Sequence, residues 1–129
     1  YTDLIHKLGG PAMNGLYATH TVANPYLDAA SQPVRFWANK YMTKFNEEPT
    51  VFSVYGYSII DTFAKVAGKA GANLSTDSFI KVMDTMVVEP DMFGGAKQTF
   101  SPTKRLGSDA SRLSQITDGK WKVVSEYFN

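Results

Sequence analysis

The chain has 129 residues, of which 43% are hydrophobic and 13% aromatic, enough apolar material for one packed domain and too much for a disordered one. A formal net charge of +1 gives no concentrated basic face for nucleic acid, and the densest basic stretch, Lys97 to Arg105, is broken by hydroxyls and Pro102 into a solvated loop. The absence of cysteine excludes thiol catalysis, disulfides and Cys-rich zinc sites, and no apolar run approaches the ~18 residues of a membrane span.

In chain order, "YTDLIHKLGG" reads as a short helix. Leu4, Ile5 and Leu8 share a face, and Gly9–Gly10 stop it. So little helix precedes the glycines that the opening reads as part of a longer chain. Gly15 to His20 has the composition of a strand, which turns polar at Thr19, His20 and Thr21. A loop punctuated by Pro25 and Pro33 follows. Val34, Trp37, Ala38, Tyr41 and Phe45 recur at helical spacing and predict an amphipathic helix over 34–45. A longer helix is predicted over 52–70, with Ile59, Ile60, Phe63, Val66, Ala67 and Ala70 as its apolar stripe and Gly71 just past its end. Ser75 or Thr76 caps a further helix that buries Phe79, Ile80, Met83 and Met86. A short strand is expected within 97–100. Asp118–Gly119 between two β-favouring runs predicts a tight hairpin that sets Ile116 opposite Trp121 and Thr117 opposite Lys120. The class is α/β.

Catalytic constellations are missing from the pattern: there is no G-x-S-x-G elbow and no P-loop. His6 and His20 are the two histidines, and neither has a second histidine or an acid at i+3 or i+4 for a local metal pair. His6 is expected at the surface near a helix end. A His20–Asp28 or His20–Asp61 dyad is the one opening left to hydrolysis, with no serine placed to complete it.

The order of the segments is informative. "GLYATHT" (15–21), a proline-containing loop, "FWANKYMTKF" (36–45), "YGYSIIDTFAKVAGKAG" (55–71), "FGGAKQTFSP" (93–102) and "QITDGKWKVV" (115–124) follow one another. This series resembles the C-terminal part of a type I periplasmic binding protein, in the branch similar to the Leu/Ile/Val-binding proteins of ABC importers. The resemblance implies a segment of a two-lobed fold with three-layer αβα lobes, with the ligand held between lobes joined by a hinge. By the same analogy residues 1–20 end the second lobe and 21–52 carry the hinge crossing and a connecting helix. Residues 53–129 then supply the C-terminal part of the first lobe. It also implies a periplasmic or extracytoplasmic location, a small-molecule ligand, a membrane permease as partner, and no cofactor, metal or nucleic acid. The ligand-sensing domains of receptors and regulators share the fold and are the alternative role.

Ligands of open α/β sheets sit beyond the carboxyl ends of the strands. Tyr17, Thr19, His20 and Thr21, at such an end, are the candidate polar lip; the competing reading puts Tyr17 in the core with His20 capping the strand. Phe52 and Tyr55, where the resemblance brings the long helix to the cleft, are the candidate aromatic contacts. The sequence departs from the family pattern in two places. Pro11 stands where amino-acid binders carry an acid for the ligand ammonium, and Ser58 replaces the aspartate that follows the helix tyrosine, with Asp61 one turn later. An amino acid and a small carboxylate, aromatic acids included, both remain open as ligands. Separated from the rest of such a fold, this chain is expected to leave apolar helix faces uncovered, and to self-associate or pair with the missing N-terminal part.

Overall fold

The computed structural model describes residues 1–129. The elements in order are α1 (Leu4–Gly9), a 3₁₀ turn (Gly10–Met13), β1 (Tyr17–His20), α2 (Gln32–Phe45), α3 (Val51–Ala70), α4 (Thr76–Met83), β2 (Val87–Val88), β3 (Gln98–Thr99), β4 (Arg112–Thr117) and β5 (Lys120–Val123). The strands form two antiparallel sheets, one of order β1-β4-β5 and a ribbon of β2 with β3.

Local chemistry sets the element boundaries. The Thr50 hydroxyl accepts from the Phe52 amide at 3.2 Å, and the Thr50 amide donates to Ser53 Oγ at 3.2 Å, so α3 starts from a reciprocal cap. Ser75 and Ser78 make the same exchange ahead of α4. Pro33 fits the first turn of α2, where its missing N–H removes no helical bond. Gly71 leaves α3 at φ 81°, a conformation that a side chain would strain. In the β4–β5 hairpin, Asp118 (φ 53°) and Gly119 (φ 70°) both take positive φ. Thr117 therefore faces Lys120 and Ile116 faces Trp121, in the expected register.

Two hydrophobic regions result. At the β1-β4-β5 sheet, Ile116 and Trp121 are buried, and the Trp121 ring meets Tyr1 at 5.1 Å and His6 edge-on at 6.2 Å. Where α2 meets the start of α3, Val22, Val34, Val51 and Val54 surround the fully buried Phe93. Trp37 and Tyr57 stand T-shaped against Phe93 at 5.0 and 5.5 Å.

The apolar stripes do not all find cover. Leu4, Ile5 and Leu8 of α1 are exposed, and the helix instead turns Asp3 and His6 inward. His6 is thus buried, contrary to its expected surface position, because the inner side of this short helix faces the rings of Trp121 and Tyr26. On α3, Val66 is buried as expected, but Ile59, Ile60 and Phe63 are 67%, 66% and 53% exposed. On α4, Phe79 and Met83 are half-buried and Ile80 is exposed; the helix ends at Met83, so Met86, also half-buried, lies beyond it and not on it as expected. Phe79 stacks on Phe63 at 5.2 Å, and nothing in the chain lies over the rest of that face. No helix is long and apolar enough to cross a membrane.

Candidate functional site

The two-residue period of β1 separates the candidates at its end. Tyr17 and Thr19 are exposed, aligned with Gln115 and Leu113 of β4, whereas His20 turns to the other face and is buried. Tyr17 is therefore not a core residue: it is 57% exposed. The strand's end does not present the four residues as one lip.

The His20 ring stacks on Tyr1 at 4.6 Å, and its Nε2 accepts from Arg112 Nε at 3.1 Å. Burial, reinforced by the Arg112 guanidinium, lowers the imidazole to about 4. His20 is neutral at neutral pH. Because Nε2 is the acceptor, the proton resides on Nδ1, which is buried without a partner. Neither proposed dyad forms. Asp28 pairs with Lys120 at the surface, and Asp61 pairs with Lys65 at 2.5 Å, one helical turn along α3. No group of three metal-ligating side chains gathers anywhere.

Thr21, one residue beyond the strand, is exposed, and its hydroxyl lies 3.5 Å from the Tyr55 hydroxyl. Behind this pair the Tyr127 hydroxyl lies 2.8 Å from the Thr21 carbonyl and 2.5 Å from the Gly94 carbonyl, with the Arg112 guanidinium 4.8 Å over its ring. The Ala23 amide donates to the Phe93 carbonyl at 3.0 Å, so the segment leaving β1 is tied to the 91–95 loop on both sides.

Thr21 and Tyr55 open onto a groove of about 610 Å³ along α3. Its walls are mostly apolar, with Ile59, Phe63, Phe79 and Met83 on the helical side and Phe100 and Leu106 opposite. Ser58 lies three residues beyond Tyr55, on the same side of the helix. It donates to Asp91 Oδ2 at 2.6 Å, while Asp91 Oδ1 accepts from the Phe93 amide at 2.9 Å. Phe52, 69% exposed, meets Tyr55 at 6.2 Å beside the groove but does not line it.

Of the sequence candidates, the structure brings together Thr21 and Tyr55, sets Phe52 beside them, and leaves Tyr17, Thr19 and His20 outside the groove. Sequence reasoning passed over Ser58 and Asp91 as contributors. The available signal was the Asp-Met-Phe order of 91–93, in which an aspartate side chain bonds the amide two residues on.

A family model described as periplasmic binding protein matches residues 1–120. Among solved structures, a putative branched-chain amino acid ABC transporter from Rhodospirillum rubrum is 22% identical, with a TM-score of 0.72 over 96% of this chain and 34% of that one. A periplasmic binding protein from Burkholderia mallei is also 22% identical, with a TM-score of 0.73 over 97% of this chain and 33% of its own. A branched chain amino acid ABC transporter from Thermus thermophilus, solved with bound valine, is 12% identical, with a TM-score of 0.73 over 99% and 37%. At such identities the likeness is one of fold, and the chain spans about a third of the length of these structures. No curated protein matches it. The match over residues 1–120 decides the matter of kinship: this chain belongs to the periplasmic binding protein family.

Proposed function

We propose that the chain is part of the extracytoplasmic solute-binding component of an ABC importer, gripping an amino acid or small carboxylate between two lobes and delivering it to a membrane permease. The observation that carries this reading is the Thr21–Tyr55 hydroxyl pair, 3.5 Å apart at the mouth of a mostly apolar groove just beyond a strand's carboxyl end. Two hydroxyls can donate to a ligand carboxylate without burying an opposing charge. Phe52, beside them, supplies apolar surface at the rim. Family membership supports the binding role, and the descriptions of the solved relatives support the importer.

In this reading the lobe boundary differs from a simple cut at residue 52. Strand β1 and the β4–β5 hairpin share one sheet, which favours residues 1–20 and 112–123 in one lobe. Helices α3 and α4, with the β2–β3 ribbon, then go to the other. The crossings fall near Thr21–Val22 and again before Arg112, and closure is a hinge motion with no covalent step.

Calorimetry of the intact protein against amino acids and aromatic acids tests this. Saturable heat with at least one class is expected, and silence toward both overturns the reading.

A further inference from the structure

The outer face of α2 carries positive charge that no carboxylate of the chain answers. Arg35, Phe36, Asn39, Lys40, Thr43 and Lys44 recur in two rows along the helix and are all exposed, away from the side that buries Val34 and Ala38. None of the three cations makes an ion pair, whereas Lys7, Lys65, Lys97, Arg105, Lys120 and Lys122 each hold a carboxylate. The acids nearest in sequence are engaged: Asp28 with Lys120, Glu48 with Lys7, and Glu47 with the Tyr41 hydroxyl at 3.2 Å. The stretch from Lys97 to Arg105 has as many cations, but Lys97 is paired with Glu89 and Arg105 with Asp84.

Three features of this face run against the stability of the helix itself. Lys40 and Lys44 stand ~6 Å apart along the axis, a like-charge pair at i and i+4. Arg35 follows a first turn that holds no acid, at the helix end where the macrodipole favours an anion. Phe36 begins the row that continues through Lys40 and Lys44, and it is 70% exposed. Local rules broken together on one face, with no compensation inside the chain, are the mark of a surface built for a partner.

We propose that the outer face of α2 docks on a bilayer surface rich in anionic phospholipid, with Phe36 entering the headgroup layer and Arg35, Lys40 and Lys44 set against the phosphates. This is independent of the groove and of the solute it takes. The choice of lipid over an acidic protein rests on the cations themselves. Two are lysines, hydrated point charges on flexible stems that suit a fluid layer of headgroups. A fixed carboxylate partner favours the arginine fork, and the single arginine donates one Nη to the Ala29 carbonyl at 2.7 Å. Three cations and one ring give a reversible association and not an anchor.

Co-sedimentation of the intact protein with vesicles tests this, using phosphatidylglycerol and phosphatidylcholine in equal parts against phosphatidylcholine alone. Association is expected with the anionic vesicles only, falling tenfold or more between about 50 and about 300 mM salt as the charges are screened. Lys40→Gln combined with Lys44→Gln should weaken it by roughly 30-fold, about fivefold per charge. Lys69→Gln combined with Lys81→Gln removes as much exposed charge from α3 and α4 and should change it by less than about twofold. Equal losses in the two double variants would assign the association to net charge and overturn the proposal. Phe36→Trp puts an indole on the face, whose emission should move to shorter wavelength on anionic vesicles; binding without that shift places the contact elsewhere and overturns it too. No association with these protein-free anionic vesicles at low salt overturns it outright and leaves the face to an acidic protein surface.

Discussion

The two ends of the molecule solve the same problem differently. Around β1, β4 and β5, distant parts of the chain interlock through specific polar contacts. The Trp121 indole donates to the Thr2 carbonyl at 2.8 Å, and the Trp121 amide to the Tyr26 hydroxyl at 2.8 Å. The Gly119 amide reaches Asn14 Oδ1 at 3.1 Å. Each bond joins the hairpin to the first 26 residues, so the apolar faces of Ile116 and Trp121 are closed by groups within the chain. Around α3 and α4 the apolar residues are just as regular, yet Ile59, Ile60 and Phe63 face outward and Phe63–Phe79 is a lone stacked pair. A regular apolar stripe records what a helix is built to bury. It does not say whether the cover lies in the same chain.

The contrast is broken or upheld most directly by truncating one residue at each end. Trp121→Ala removes a ring that is 6% exposed and should cost ~3–5 kcal/mol, the usual range for deleting a buried large aromatic. Ile60→Ala, on the uncovered face, should change stability by no more than ~0.5 kcal/mol. Urea denaturation of the 129-residue chain measures both. Comparable losses would mean that the α3 face is covered in solution, by a second copy for instance. Sedimentation at several concentrations then identifies the cover, since an association through this face weakens in Ile60→Ala.

A change of pH probes the sheet end alone. Native His20 is held to about 4 and returns on unfolding to its ordinary value near 6.5. Between those values the unfolded chain takes up a proton that the native imidazole refuses. Stability is therefore full above about 6.5, falls as pH drops toward about 4, and gains no further slope from this group below that, with ~2–3 kcal/mol at stake. His6, also lowered by burial, contributes with the same sign. His20→Gln cannot titrate, retains an acceptor for Arg112, and should flatten the decline; an equally steep profile would assign the slope to other groups.

The same contrast explains what could be read from sequence. The hairpin register was legible because Asp118–Gly119 is a local instruction, with two adjacent residues that accept positive φ. The start of α4 was legible in Ser75, also a local signal, whereas the Thr50 cap of α3 was passed over and that helix was expected from residue 52. His6 was misread because its burial depends on Trp121, 115 positions along the chain (121 − 6), and helix-end position carries no information about that ring. Phe93 looked like a loop residue and became the centre of a core, since a loop held at Asp91 and Ala23 can deliver an aromatic as firmly as a helix does. At the site, Thr19 and His20 were grouped in one lip although strand alternation puts neighbours on opposite faces, and the pairing of Ser58 with Asp91 joins positions 33 residues apart and left no periodic trace.

A loss smaller than those expected at Trp121 and His20 lies where the two ends meet. Tyr127 spans them, its hydroxyl in reach of the Thr21 carbonyl after β1 and of the Gly94 carbonyl in the loop that carries Asp91. Tyr127→Phe removes that hydroxyl and leaves the ring under Arg112, so the guanidinium–aromatic contact survives. A single neutral hydrogen bond of this kind is worth ~1 kcal/mol, well below the loss from Trp121. The location of the effect matters more than its size. If Tyr127 fastens the junction, hydrogen exchange should quicken at the Ala23 amide, whose partner is the Phe93 carbonyl beside Gly94, and remain unchanged at the β4–β5 amides. Exchange that rises equally in both places would show that the hydroxyl supports the molecule globally and that the two ends are not separable by local opening at this junction.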